Sequence, residues 1–588
     1  MNRIDSLRKV MEENEVDAYI IYSQDPHNSE YVADRWKGRE WLSGFTGTAA
    51  TLVVLKDHVG LWTDGRYFIQ ALNQISGKNI TLYKMAIEGE PTIEEFLSKR
   101  LGQNATLAFD GQTLPISSFN KLDTALNYKK VTYKFDDLLL NIWRDRPSAP
   151  SSIIYEHWLK HSGGAREAKI EKIKALVKEN KASDYILTTL DDIAWLFNAR
   201  ASDINYSPVF LSYALISDDK VTLYCNTRKV DDSLKLSLKK SGVIMKEYED
   251  IYTDLSKLKD DRKVLVCEKS TNIMLKDSIN SNCQIIYKDN IVELEKSKKC
   301  QEEINHIKNS HVRDGVAMVR FLKWLDESIG KENISEMDID EKLVEFRSMG
   351  EHYVGESFNS IVGYKEHAAL MHYKATKETN YTLEANGMLL VDSGALYFDG
   401  TTDITRTIAL GDVSDEQKRD FTLVLKGMMN LSKAKFLKGT NGSALDILAR
   451  QFLWEESIDY KCGTGHGVGY FLNVHEGPQG ISMKQNNTVL EKGMILTNEP
   501  GVYKEGRYGI RIENTLLVSE YSKTEFGEFY KFEDLTYCPI DIRLIDTSIM
   551  QKMEIEQINN YHKNVYETLR AHLNEEEEEW LKAMTKAI

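Results

Sequence analysis

The sequence predicts a mixed α+β fold: two related α/β modules, then a larger α+β domain with a strongly antiparallel sheet. A linker near residue 150, a pair of similar segments flanking it and a change of texture after Lys299 carry that prediction. The linker, Trp143-Arg144-Asp145-Arg146-Pro147-Ser148-Ala149-Pro150-Ser151-Ser152, has two prolines, three serines and no apolar period, which marks a connection rather than an element. Before it stands Glu13-Asn14-Glu15-Val16-Asp17-Ala18-Tyr19-Ile20-Ile21, and after it, at an offset of 166 residues, Glu179-Asn180-Lys181-Ala182-Ser183-Asp184-Tyr185-Ile186-Leu187. Each closes an amphipathic helix and opens an apolar strand. Strand-rich stretches follow both, at Thr51-Leu52-Val53-Val54-Leu55 and at Pro208-Val209-Phe210-Leu211-Ser212-Tyr213-Ala214, so each half reads as a small α/β module.

From Glu303 to Leu325 a helix is expected, with apolar Ile304, Ile307, Val312, Val316, Val319 and Phe321 mostly at three- and four-residue steps. Past Ser360 come strands joined by glycine-rich turns, with one more helix around Ser414 to Ala434. The run Asn574-Glu575-Glu576-Glu577-Glu578-Glu579-Trp580 reads as a solvated helix face. The expected domains are 1–146, 147–298 and 299–588.

A chain of 588 residues that is 42% hydrophobic can bury several cores. Its 90 acidic against 75 basic residues, a net charge of -15, argue against sequence-independent attraction to nucleic acid or an anionic membrane, which needs concentrated positive charge. The start, Met1 to Leu7, has no apolar core and is soon followed by Glu12, Glu13 and Glu15, unlike a signal peptide, and no apolar run reaches transmembrane length. Six scattered cysteines without a C-x-x-C spacing suit reduced thiols and a cytoplasmic location.

Five potential metal ligands stand in separate strand or loop contexts: Asp392, Asp403, His466, Glu499 and Glu513. Asp392 follows Met388-Leu389-Leu390-Val391, where an unpaired carboxylate is strongly disfavoured by desolvation. The Asp399-Gly400 turn is expected to bring Asp403 back onto the same sheet, in a register that a bulge could alter. Glu499 and Glu513 lie symmetrically about Gly506. A simple hairpin would therefore set them directly opposite, with Cβ atoms roughly 4.5–5.5 Å apart, and carboxylates that close need a cation or a proton between them. On the second strand Ile510 and Ile512 alternate with Arg511 and Glu513, so the charged pair shares one face. His466 sits among four glycines in Cys462-Gly463-Thr464-Gly465-His466-Gly467-Val468-Gly469, where backbone can approach closely. Singly, each residue has an ordinary reading as a turn residue, a solvated acid or a packed histidine. Together they point to metal chemistry.

The segments Val391-Asp392-Ser393-Gly394, Asp399-Gly400-Thr401-Thr402-Asp403-Ile404-Thr405-Arg406-Thr407, Gly463-Thr464-Gly465-His466-Gly467, Asn473-Val474-His475-Glu476-Gly477-Pro478, Asn498-Glu499-Pro500-Gly501 and Gly509-Ile510-Arg511-Ile512-Glu513-Asn514 closely resemble the Xaa-Pro aminopeptidases, or aminopeptidase P. Trp62-Thr63-Asp64-Gly65-Arg66-Tyr67-Phe68 and Asp192-Ile193-Ala194-Trp195-Leu196-Phe197-Asn198 extend the likeness to the long, three-domain cytosolic form over nearly the whole chain. The resemblance implies two creatinase-like modules and a pita-bread catalytic domain with a curved antiparallel sheet. It implies two divalent metals on Asp392, Asp403, His466, Glu499 and Glu513, with manganese as the metal and zinc or cobalt as alternatives. Oxygen-rich ligation with one imidazole and no thiolate agrees with a catalytic site. Two metals about 3.5–4 Å apart can bridge a hydroxide that attacks a peptide carbonyl at neutral pH.

By the same resemblance Glu499 shuttles the proton. His372 and His475 act in catalysis, and Arg66, His372, His466 and His475 line the substrate. The implied substrates are peptides with proline second, and the implied assembly is a homodimer. Where the family commonly carries histidine, this chain has Cys462. A prolidase shares the five ligands but usually has one N-terminal domain, a creatinase-like amidinohydrolase lacks the metal set, and inactive relatives that serve as binding modules lose ligands. All three fit this chain less well.

Overall fold

A computed structural model describes residues 2–588, which cluster into two compact units: residues 2–158 with Gly164–Val292, and Leu159–Gly163 with Glu293–Ile588. The first unit carries the repeat as duplicated topology. One six-stranded sheet runs in the order Thr81–Lys84, Val59–Thr63, Ala50–Leu55, Ala18–Ile21, Thr106–Phe109, Thr132–Lys134. The other runs Val243–Lys246, Val221–Tyr224, Tyr213–Ser217, Asp184–Leu187, Lys263–Val266, Gln284–Tyr287. Position by position the two sheets agree in direction: parallel, antiparallel, antiparallel, parallel, parallel.

The similar segments share a local cause. Asn14 and Asn180 each donate Nδ2 to the carbonyl four residues back, both at 2.8 Å. Glu15 (φ 55°) and Lys181 (φ 58°) then take the left-handed conformation that ends a helix. The chain next enters a strand with four buried residues in both copies, Ala18–Ile21 and Asp184–Leu187. Two expectations need correcting. The strand after Pro208 starts only at Tyr213, because proline cannot donate to a ladder and the Asp203 carboxylate takes the Leu211 amide instead. The linker is also less free than its composition suggests. Trp143 is buried and stacks on Trp41 at 5.1 Å, and Arg146 donates to the Arg35 carbonyl.

In the second unit all strand pairs are antiparallel. The expected helices are Gln301–Ser328 and Asp415–Ser432, the latter opened by a Ser414/Gln417 capping box. The acidic tail is a helix, Glu575–Met584, but not a wholly solvated one. Glu577 pairs with Arg320 at 2.9 Å and the Trp580 indole N–H donates to Asp326 at 3.0 Å, so one face docks while Glu575 and Glu576 stay exposed. All six cysteines are free thiols. Among the described residues no helix is long and apolar enough to cross a membrane.

Helix Asp415–Ser432 packs on helix Ile447–Glu455 through Gly427, where a Cβ would stand 2.1 Å from the Ala449 carbonyl oxygen. Alanine is the better helix former by about 1 kcal/mol, yet overpacking costs about 1–3 kcal/mol. Gly427→Ala is therefore expected to lower the thermal midpoint, and a calorimetric scan showing an unchanged or raised midpoint would contradict this packing.

Candidate metal centre

The first acid stands on the strand Met388–Ser393, paired with Ile361–Tyr364 on one side and Ile404–Ala409 on the other, with Asp392 opposite Ile361 and Thr405. Between them the chain leaves this sheet for a hairpin, Ala395–Tyr397 against Gly400–Thr401, in another. Asp403 consequently falls just ahead of its strand rather than within a ladder, which corrects the expectation of two acids on one sheet.

The second pair of acids follows the symmetry about Gly506. Lys504↔Tyr508 through Gly501↔Arg511 form one ladder, and Asn498↔Asn514 through Ile495↔Leu517 continue in the same register in the six-stranded sheet. Glu499 and Glu513 occupy matching positions in the break between the two ladders. There the Glu499 N–H donates to Thr464 O at 2.7 Å and the Glu513 N–H to Thr405 O at 3.1 Å, so each backbone is fixed by a residue outside its hairpin. His466 lies on Gly465–Gly467. At Gly465 a Cβ would come within 1.9 Å of the Thr497 carbonyl oxygen, so only glycine lets the histidine strand close on the strand that leads to Glu499.

Asp403, His466 and Glu513 each offer a ligand atom within 4.8 Å of the others. His466 Nε2 is 3.4 Å from Asp403 Oδ2 and 3.4 Å from Glu499 Oε1, and its Nδ1 faces the Gly467 carbonyl at 2.9 Å. The Thr497 hydroxyl accepts from the His466 N–H and donates to Glu499 Oε1. Thr405 donates to Glu513 Oε2 at 2.7 Å. Asp392 completes the set through Arg511, whose guanidinium binds Asp392 Oδ2, the Thr405 hydroxyl and the Tyr503 hydroxyl. Arg511 and Glu513 both reach the Thr405 hydroxyl, but the role of Arg511 as the counter-charge of Asp392 was missed, since the pairing spans 119 residues. Tyr503, Thr405 and Thr497 carried no signal of their own.

Burial first, then the charges of Asp403 and Glu499 against the opposing Arg511, push the Asp392 carboxyl up to about 6. Burial also raises Glu499, against the pull of His466 and Arg511, and raises Glu513 well above the usual range with help from Asp403, Glu499 and Asp392. Asp392 Oδ1 and Glu513 Oε1 are buried without a hydrogen-bond donor. A hard or borderline cation fits what these oxygens lack, and one imidazole among carboxylates fits a catalytic rather than a structural site.

The remaining candidates are placed differently. The His475 ring packs edge-on against His466, centroids 4.2 Å apart. His372 is half-buried in the turn after the short 3-10 helix Lys365–Ala369. Its neighbourhood is braced by Glu336, which is fully buried and accepts from the Tyr364 N–H, His367, the Tyr373 hydroxyl and the Tyr381 N–H. Arg66 belongs to the first unit, exposed, with its fork closed on Asp64 by two 2.8 Å bonds. At Cys462, burial and the charge of Glu499 push the thiol up to about 11, so without a metal it is a neutral thiol at neutral pH.

Profiles described as Creatinase/Prolidase N-terminal domain match residues 3–141 and 145–303, Metallopeptidase family M24 matches 305–520, and C-terminal region of peptidase_M24 matches 528–588. A protein of Tuber melanosporum named "Probable Xaa-Pro aminopeptidase P" is 37% identical over 100% of this chain and 99% of its own length. The X-prolyl aminopeptidase from Caenorhabditis elegans, described as a cytosolic enzyme with a di-nuclear active site, superposes with a TM-score of 0.95 at 33% identity, covering 100% of both chains. An Xaa-Pro dipeptidase from Bacillus anthracis covers 64% of this chain and 99% of its own, with a TM-score of 0.52 at 25% identity.

Because the Cys462 thiol is held protonated, iodoacetamide should label it at pH 7.5 at least about tenfold more slowly than an unperturbed thiol of pKa about 8.5. The rate should climb towards pH 11. Peptide mass mapping of the Cys462 segment reads this out, and rapid labelling at neutral pH would contradict the environment described.

Proposed function

This chain belongs to the Xaa-Pro aminopeptidase P family within the M24 metallopeptidases, and we propose that it removes the first residue of peptides whose second residue is proline, using two metal ions. The observation that carries the reading is the convergence of Asp403, His466 and Glu513, with Glu499 at 3.4 Å from His466 and with two buried carboxylate oxygens lacking donors. The second duplicated module favours the aminopeptidase over a prolidase, since the Xaa-Pro dipeptidase from Bacillus anthracis covers only 64% of this chain at 99% of its own length.

Asp392, Asp403, His466, Glu499 and Glu513 are the proposed ligands. Their four carboxylates balance two divalent cations, and manganese is the proposed metal, with zinc or cobalt as alternatives. When bound, the metal pair supplies an acidified water as nucleophile and polarises the scissile carbonyl. Glu499, raised above the usual carboxylate range and oriented by the Thr497 hydroxyl, takes the proton from the attacking water and delivers it to the departing proline nitrogen. His475, packed against His466, and His372, on its braced turn, donate to the carbonyl oxygen as charge grows there. A bond to proline is a tertiary amide with a rigid ring and no N–H, so a pocket shaped to the ring excludes other residues. Arg66 is proposed to meet the peptide beyond the proline with its fixed fork of donors. We further propose a cytoplasmic homodimer whose domains are 1–146, 147–298 and 299–588.

With manganese-loaded enzyme, Arg-Pro-Pro should release free arginine rapidly, Arg-Pro much more slowly, and Arg-Ala-Ala hardly at all. Faster cleavage of Arg-Pro would instead indicate a prolidase.

Chelation should abolish the activity and Mn²⁺ restore it. Glu499→Gln should leave a folded protein with turnover reduced at least about a hundredfold, as for loss of an acid–base group that also binds metal. Near-normal turnover in that variant would remove the mechanism.

A further inference from the structure

On the other side of the sheet from the proposed ligands lies a buried polar network that the reaction does not use. Successive strand residues face opposite ways, so Asn498 and Asn514, each beside a ligand glutamate and opposite one another, turn their side chains to the rear. Asn498 Nδ2 donates to Met428 O at 2.7 Å and to the Ser432 hydroxyl at 3.1 Å. The Ser432 hydroxyl and Asn514 Nδ2 then converge on one oxygen, Asp534 Oδ1, at 3.2 and 3.0 Å.

Arg406 is the centre of this network. It is buried, and its N–H groups are spent as follows. Nη1 bridges the carbonyls of Thr405 (2.9 Å) and Glu513 (2.6 Å). Nε donates to Pro539 O at 3.0 Å. Nη2 reaches Asn514 Oδ1 at 3.0 Å, Cys538 O at 2.9 Å and the Tyr561 hydroxyl at 2.9 Å. The Thr405 carbonyl is the same one that receives the Glu513 N–H, so the guanidinium spans both ends of the contact that fixes Glu513. The single Tyr561 O–H in turn lies between two acceptors, Cys538 O at 2.9 Å and Thr536 O at 3.1 Å. Asp534, Tyr561 and the carbonyls of Cys538 and Pro539 all come from the C-terminal stretch, to which the chemistry assigns nothing.

We propose that Arg406, with Asn514, Asp534 and Tyr561, is the positioning set that fixes the two ligand glutamates from behind, and that this is the contribution of the C-terminal stretch to the metal centre. The inference rests on Glu499 and Glu513 being ligands. Arginine is suited to the task because its planar fork presents donors in fixed directions, which lysine cannot reproduce. Partners one step removed from a metal alter affinity by about 10–100-fold.

The test is titration of metal-free full-length protein with Mn²⁺, read by equilibrium dialysis, beside thermal melting of the same metal-free samples. Arg406→Lys should weaken Mn²⁺ binding by about 10–100-fold, and Tyr561→Phe, which removes one acceptor of Nη2, by about threefold to tenfold. Arg347→Lys serves as a control. It disturbs another buried arginine, paired with Asp314, and should lower the melting temperature while leaving Mn²⁺ affinity as in the wild type. Wild-type affinity in both Arg406→Lys and Tyr561→Phe, whatever their melting temperatures, would reduce the network to ordinary packing and overturn the proposal. Equal weakening in Arg347→Lys would overturn it too. If Arg406→Lys does not fold, Tyr561→Phe decides alone. Glu513→Gln separates the two levels: unchanged Mn²⁺ affinity there removes the ligand assignment and this inference with it, whereas lost affinity there with normal affinity in the rear variants removes only the inference.

Discussion

Negative charge gathered out of reach of water is the constraint on which the second unit depends. Asp392, Asp403 and Glu513 are all buried, and Glu499 approaches them through His466. Coulomb repulsion between carboxylates a few ångströms apart is weak in water but several-fold larger in a protein interior. Arg511 answers one of the four by binding Asp392. The weakened acidities of Asp392, Glu499 and Glu513 describe what remains unanswered, and bound cations are the form of answer that suits the two oxygens without donors, Asp392 Oδ1 and Glu513 Oε1.

To gather those acids the fold interrupts its own regularity. The chain leaves one sheet between Asp392 and Asp403, and the hairpin about Gly506 changes sheets at Glu499 and Glu513 while keeping its register. Side chains within a continuous ladder are committed to a face and to cross-strand neighbours. At a break, the backbone amides of Glu499 and Glu513 turn to Thr464 and Thr405, and the carboxylates are free to converge on a point that no single sheet offers.

What the sequence disclosed follows from the range of the interactions involved. The duplicated modules were legible because a helix ending in Asn followed by a left-handed residue is a local device, set by Asn14-Glu15 and Asn180-Lys181. The register of the hairpin that carries Glu499 and Glu513 was legible because the symmetry of a hairpin about its turn is a local count, whereas its break at those two residues was not. The partnership of Arg511 with Asp392, across 119 residues, and the bracing of the His372 turn by Glu336, 37 residues before Tyr373, were not. No period or spacing encodes a contact between elements whose packing is decided by the whole core. The departure of the chain into a second sheet before Asp403 escaped for a related reason, since both routes are compatible with the same alternation of apolar and polar residues. The docking of the acidic tail on Arg320 was hidden by composition, which reports how many charges a helix has and not which face is covered.

The grouping of Leu159–Gly163 with the second unit, while Gly164–Val292 returns to the first, makes the two units interleaved along the chain. No single cut in the polypeptide separates them: severing at 292 leaves five residues of one unit inside the other, and severing at 158 leaves most of a module attached to the wrong partner. A chain truncated at either point would carry part of one unit along with the other, even though each module has a complete sheet of its own.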